Sequence, residues 1–423
     1  MKFFFPDTQD FVDPSFDFRT EQRNELRVRQ RDDLYAHEIF SSPPYDGMLV
    51  SKAAVDQLPG GATRYTAGQR QRLMREGLAS YLRLDHTKYG RRVELMGDCG
   101  GFSYVREEYP PYSVDEVVHF YSECGFDYGI SVDHVILGFK SEAQRELFEP
   151  SDLEEWRRRQ NITLDLADEF LKASKTGRLP FKPLGVAQAW SPSSYASAVD
   201  KLQKMGYDYI CLGGMVPLKT PEILESLEAI SAVRRSKTKL HLLGVTRCEH
   251  VWDFKGYGVA SFDSTSPLRK AFKDDKDNYY APNRTYTAVR IPQIDKNTQL
   301  LRKIKSGQVD QDEAAKHETA ALRAAMAYDA HEIPLEDLLE ALAAYERLYD
   351  DKRTYIDVYR AVLEETPWKS CPCDICRDLG IHVILFRGAE RNRRRGFHNL
   401  YVFYQQLQDR LDERKQRKET TND

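Results

Sequence analysis

The strongest constraint on this chain is a repeated alternation of short apolar runs with amphipathic helices. Candidate strands lie at 46–51, 92–97, 128–132, 183–187, 208–212, 240–245 and 258–262. Helix signals fall between them. Ser113 with Glu116 forms a capping box, and Gly125 closes that helix. Ser151 with Glu154 reads as a second box. Thr220 reads as an N-cap, with Pro221 at the first helical position and Glu222 in the first turn. A further helix stops at Gly206. Strand-then-helix units build parallel sheets. Seven or eight of them in about 350 residues predict an α/β fold, a (β/α)8 TIM-like barrel, before an open sheet. The competing doubly wound fold lacks a Gly-rich dinucleotide fingerprint after any candidate strand.

The barrel takes residues 46–294 as its main part, behind an N-terminal extension at 1–45. From 295 to 366 helices follow one another without strands. Leu335, Leu338, Leu339, Leu342 and Tyr345 fall on one helical face there. The segment reads as a helical insertion, either a packing platform or a lid. A metal-binding subdomain with a C-terminal helix is expected at 367–412, and a polar tail at 413–423.

Composition closes off several classes. The 423 residues carry 62 Lys and Arg against 66 Asp and Glu, a net charge of −4. That excludes a wholly basic surface but not a local basic patch. No apolar stretch approaches the roughly 18 residues of a membrane span. The start, Met1 to Asp13, has no basic region or small-residue cleavage site of a signal peptide. A soluble, cytoplasmic protein without membrane contact is expected.

Seven cysteines, an odd count, argue against a disulfide framework. Three of them, Cys371, Cys373 and Cys376, cluster within six residues. Clustered thiolates favour zinc; the bland alternative is a coincidental Cys-rich turn. A structural site needs a fourth ligand, and His382 and His398 both lie downstream.

In a parallel barrel the reacting groups sit at the C-terminal strand ends. Those positions hold Asp98, Asp133, Gln188, Gly213-Gly214, Gly244 and Asp263. A carboxylate such as Asp263, directly after an apolar run, can attack an electrophilic carbon. A second carboxylate, such as Asp98 between glycines, can move the proton. Any one Asp alone reads better as a helix cap; three at strand ends do not. The Gln188 amide can read a carbonyl and an N–H on a base edge, or simply brace a loop. His134, His250 and Trp190 read as packing or solvated residues.

These residues, in this order, resemble the tRNA-guanine transglycosylase superfamily, from about residue 46 to 408 outside the helical insertion. Asp98-Cys-Gly-Gly-Phe102 resembles the family's Asp-Ser-Gly-Gly-Phe motif. Ser131-Val-Asp133-His, Gly185-Val-Ala-Gln188 and Leu212-Gly213-Gly214 resemble its base-binding segments, and Leu243-Gly244-Val245 resembles its Met-Gly-Val strand end. Phe262-Asp263 resembles the segment with the nucleophile. Cys371, Cys373 and Cys376 with His398-Asn-Leu400 resemble its zinc site, which favours His398 over His382. The resemblance implies Asp98 as general acid/base and Asp263 as nucleophile. It further implies Asp133, Gln188, Gly213 and Gly214 as base readers, and a structural zinc ion.

Two departures separate the chain from the tRNA enzymes. Ser264-Thr-Ser-Pro-Leu-Arg269-Lys270 replaces a Met-Pro-Thr-Arg-Asn-like stretch, and the step from Asp263 to Cys371 is far longer. No C-terminal RNA-binding domain is expected after the zinc site. The chain is most similar to the DNA-modifying, DpdA-type branch. That branch implies exchange of guanine in DNA for preQ0, the nitrile-bearing 7-deazaguanine, with accessory proteins of a DNA-modification system as candidate partners. The alternatives are the same chemistry on tRNA, a non-catalytic nucleic-acid-binding subunit, and a barrel glycosidase. From Arg387 to Lys418 ten Arg and Lys face four Asp and Glu. This run, with Arg393, Arg394 and Arg395, and with Arg269 and Lys270 just after Asp263, is a candidate phosphate track; a solvated charged face is the bland alternative.

Overall fold

The computed structural model describes all residues except 59–64, 85, 142–143, 145–148, 177–178, 351 and 420–423, and omits the side chains of 86–87 and 413–419. The expected polar tail therefore lies mostly outside the described residues. Two compact units are present. One holds Met1–Gln9, Tyr45–Thr265 and Leu407–Asp423, and the other Asp10–Pro44 and Ser266–Gln406.

The first unit is a closed barrel of eight parallel strands in sequence order. They are β1 (Lys2–Pro6), β2 (Gly47–Ser51), β3 (Glu94–Asp98), β4 (Tyr128–Ile130), β5 (Lys182–Ala187), β6 (Tyr209–Leu212), β7 (Lys239–Leu242) and β8 (Val259–Asp263). All seven candidate strands are present. The eighth, β1, lies inside what reads as an N-terminal extension. It pairs with both neighbours, Phe4 opposite Gly47 on β2 and opposite Asp263 on β8, and so closes the barrel. Three consecutive phenylalanines, Phe3 to Phe5, are all buried. Such a run has no alternation to mark it, because a barrel strand is covered on both faces.

Phe4, Leu49, Met96, Ile130, Leu184, Val186, Tyr209 and Cys211 form a buried cluster contributed by β1 to β6. Helices cover the outside. The Tyr121 ring, from the helix Val114–Cys124, lies so close to Gly97 and Gly129 that a Cβ at either would run into it.

The helix starts follow local chemistry with two adjustments. Ser113 and Glu116 make the reciprocal capping box, and Gly125 takes the left-handed conformation at the end. The Ser151–Glu154 box does not form. Pro150 opens that helix, so Ser151 is already inside its first turn. At the helix Thr220–Ser231 the cap is Lys219 and not Thr220; the Glu222 carboxylate accepts the Lys219 N–H at 2.6 Å.

In the second unit the helices Thr298–Lys305, Gln311–Asp329, Leu335–Tyr349 and Ile356–Glu365 form the helical run. Leu338, Leu339, Leu342 and Tyr345 are buried. A two-stranded parallel pair, Val289–Arg290 with Leu385–Phe386, draws the two ends of this run together. Among the described residues no helix is long and apolar enough to cross a membrane.

Candidate active site and candidate metal centre

All eight strands point the same way, so residues that end them share one rim. Asp98 ends β3 and Asp263 ends β8. Asp133 follows β4, Gln188 follows β5, Gly213-Gly214 follows β6, and Gly244 lies just past β7. Cys211, on the inner wall of β6, reports their convergence. Burial raises its thiol pKa most, and the fields of Asp263, Asp98 and Asp133 raise it further. The structure thus brings the predicted reacting and reading residues of the barrel to one place.

The Asp133, Gln188 and Gly213 side of the rim is prearranged. Gln188 Nε2 donates to Asp133 Oδ2 at 2.6 Å, and Gln188 Oε1 accepts the Ile136 N–H at 3.1 Å. With both ends of the amide occupied, its orientation is set. A Cβ at Gly213 would collide with that amide, so only glycine lets the turn lie against it. Gly214 has φ +72°, in the left-handed region. Tyr195 Oη donates to Gly213 O at 2.6 Å and holds the turn from below.

The rim carboxylates differ in environment. Burial first, then the negative charges of Asp133 and Asp263, push the Asp98 carboxyl up to about 7. The Gly100 N–H, 3.0 Å from Asp98 Oδ2, opposes this only in part. Burial also raises Asp133, to about 6, against the hydrogen bond from Gln188. Asp263 is 7% exposed. Its Oδ1 receives the Gly244 N–H at 3.0 Å and lies 3.1 Å from His241 Nε2. A group near neutrality beside a donor-held carboxylate fits proton transfer paired with nucleophilic attack.

The raised Asp98 has a stability consequence. An acid whose folded pKa exceeds its ordinary 3.8 binds more protons folded than unfolded between those values. Stability is therefore lost as pH climbs from about 4 to about 7, and the loss is constant above that. Asp98→Asn removes the titration. Its gain in unfolding free energy over the wild type should be larger at pH 8 than at pH 5, by on the order of 2 kcal/mol. Urea titrations at the two pH values measure this; an equal gain at both would contradict the shift.

His241 is a component that sequence reading missed. It sits fully buried on β7 between Leu240 and Leu242. The available signal is a histidine inside an otherwise apolar strand, beside a neighbouring strand that carries Ser261.

The second unit holds a separate cluster. Cys371, Cys373, Cys376 and His398 place their ligand atoms within 4.8 Å of one another, able to hold a metal ion. His398 Nδ1 is 3.7, 3.4 and 3.2 Å from the three sulfurs in turn. His398 Nε2–H donates to Tyr280 O at 2.7 Å, which leaves Nδ1 as a lone-pair donor turned toward the thiols. Tyr279 stacks on the imidazole at 4.2 Å. Asn399 accepts the Tyr280 N–H and donates to Asn278 O, so the His-Asn-Leu helix grips this segment. His382 is not part of the cluster. It lies against Arg391 and Phe18.

The expected phosphate track needs correction. Arg394 and Arg395 are buried, as is Arg391. Arg394 binds Glu390 at 2.7 Å and Asp13 O at 2.6 Å. Arg395 donates to Leu385 O at 3.0 Å and to Asn392 Oδ1 at 2.7 Å, and Arg391 pairs with Glu21. The reason is helical spacing. Positions 391, 394, 395 and 398 share one face, and the face that turns His398 inward also turns these arginines inward. Arg393 is half-buried, with Asp10 at 3.7 Å. Lys270 is exposed and Arg269 is half-exposed.

No family model matches the chain. A curated protein of Salmonella montevideo named DNA-guanine transglycosylase is 52% identical over 422 residues, covering 99% of each chain. The chain belongs to the DNA-guanine transglycosylases. It is thus an enzyme of the glycosyl-transferring kind, in the DNA-modifying branch of the transglycosylase superfamily. Such an enzyme must read a purine and handle a sugar carbon at one place. The barrel rim carries the Gln188 amide, the Gly213-Gly214 turn and three carboxylates.

Proposed function

We propose that this protein replaces guanine in DNA with a 7-deazaguanine base such as preQ0, through a covalent aspartyl-glycosyl intermediate. One observation carries the reading: Asp98, raised toward neutrality, faces the same rim as Asp263, whose Oδ1 is held by a backbone donor. The glycosidic carbon is out of reach inside a duplex, so the target guanine must leave the stack. Asp133, Gln188 and the Gly214 N–H read its edge. Asp263 attacks C1′, the bond from C1′ to the guanine nitrogen breaks, and the electron pair leaves with guanine, which takes the Asp98 proton. The 7-deazapurine then enters and gives its ring proton to Asp98. Its nitrogen attacks C1′ and releases the Asp263 carboxylate.

The Cys371, Cys373, Cys376 and His398 set is proposed to hold zinc. Three thiolates and one imidazole fill a tetrahedral site and leave no open position, so the ion is structural. The chemistry is left to the barrel carboxylates.

Incubation with radiolabelled guanine, plasmid DNA and bulk tRNA tests the substrate. Label is expected in DNA and displaced from it by preQ0. Label in tRNA alone would transfer the same chemistry to tRNA, and label in neither would favour a non-catalytic subunit.

A further inference from the structure

Behind Asp263 lies a buried line of polar side chains that base reading does not use. His241 Nε2 is 3.1 Å from Asp263 Oδ1, and His241 Nδ1 is 2.6 Å from Ser261 Oγ. Ser261 Oγ in turn hydrogen-bonds the Tyr209 hydroxyl. His241 and Ser261 are fully buried and Tyr209 is nearly so. They lie on β7, β8 and β6, so three adjacent strands each supply one link.

The Asp263 carboxylate of the covalent reading above gives this line one direction. An ionised carboxylate only accepts, so His241 Nε2 carries the proton and donates it. On a ring that carries one proton, Nδ1 then accepts, and Ser261 is its donor. The Ser261 oxygen accepts from the Tyr209 hydroxyl. Each proton points toward Asp263. The Gly244 N–H reaches the same oxygen at 3.0 Å. Oδ1 is therefore held by two donors, while Oδ2 has neither of them.

From this geometry we infer that His241 is a positioning residue for Asp263, which selects Oδ2 as the attacking oxygen and stabilises the carboxylate when it departs. This rests on the covalent reading above. Attack by Oδ2 makes it the ester oxygen and leaves Oδ1 as the ester carbonyl. When the incoming nitrogen bonds to C1′, the pair of the C1′–Oδ2 bond returns to the carboxylate. Its charge spreads onto Oδ1, where the His241 and Gly244 N–H groups receive it. Hydrogen bonds to a charged acceptor are about twice as strong as those to a neutral one. The line therefore favours free carboxylate over ester, and its loss should slow release of the adduct more than its formation.

The experiment measures both steps with full-length protein and radiolabelled plasmid DNA. Formation is followed by denaturing quench without added base, and release by adding excess guanine to preformed adduct. His241→Phe keeps an aromatic ring, slightly larger than imidazole, and removes both nitrogens. It is expected to slow release about 10-fold or more relative to formation, so that adduct accumulates and the apparent KM for DNA falls, with the Kd for DNA unchanged. His241→Gln, whose amide can donate to Oδ1, should recover most of the release rate. Ser261→Ala, a small change that frees the tautomer, should shift the ratio in the same direction more weakly. Equal slowing of both steps, no change in either, or a Gln variant as slow as Phe would overturn the inference, because a space-filling histidine predicts those results. The wild-type adduct is mapped by peptide mass. An adduct on a residue other than Asp263 defeats the covalent reading itself. An adduct on Asp263 with unaltered release in the variants defeats only the role of His241.

Discussion

Asp263→Asn is expected to lower guanine exchange by at least about 10⁴-fold and to abolish the denaturant-stable protein–DNA adduct, while the fold remains intact. An amide cannot displace a base from C1′ as a carboxylate does. The same substitution preserves what the structure asks of the side chain. Asn Oδ1 can still accept from the Gly244 N–H and from His241 Nε2, and its amide nitrogen takes the other position. Thermal unfolding should therefore change little, which separates lost chemistry from lost structure. Labelled-guanine incorporation and gel retention of labelled DNA measure the two effects. An adduct that survives in the Asn variant would show that another group attacks the sugar.

Removal of the zinc ion proposed for the Cys371, Cys373, Cys376 and His398 cluster should act on stability. In the second unit three sulfurs crowd around one imidazole nitrogen, and Cys373 and Cys376 are buried. Without an ion this pocket places thiols against one another and leaves the His398 lone pair without a cation. Chelation, or Cys373→Ser, is expected to cost at least about 3 kcal/mol, or about 10 °C in Tm, with release of zinc measurable by atomic emission. Binding free energies of isolated zinc peptides are larger, but this unit has its own apolar core. Acid should release the ion as well, because the ligands bind as thiolates. A chelated protein that unfolds at the wild-type temperature would exclude a structural role.

The parts of this molecule differ in how far they can be read from residues alone. Strands β2 to β8 were legible as short apolar runs, several of them bounded by a helix signal. The rim residues were legible because a strand that ends in Asp or Gln breaks its own apolar pattern. Strand β1 was not legible: Phe3 to Phe5 become a strand only through pairing with Gly47 and with Ser261 to Asp263. His241 was missed for a related reason. One histidine in a strand carries no partner information, and its role comes from Ser261 and Asp263 on the neighbouring strand. The arginine run was misread because counting charges ignores helical phase.

Sequence alone therefore determined the architecture, the carboxylates at strand ends and the thiol cluster, since each depends on local pattern or close spacing. Tertiary structure decided which segment closed the barrel, which way the arginines faced and which oxygen of Asp263 was held, and it placed with the thiols the same His398 that the resemblance favours. Those outcomes depend on contacts between residues far apart in the chain. Pairing and burial free energies set them, and those energies exist only once the partners have met.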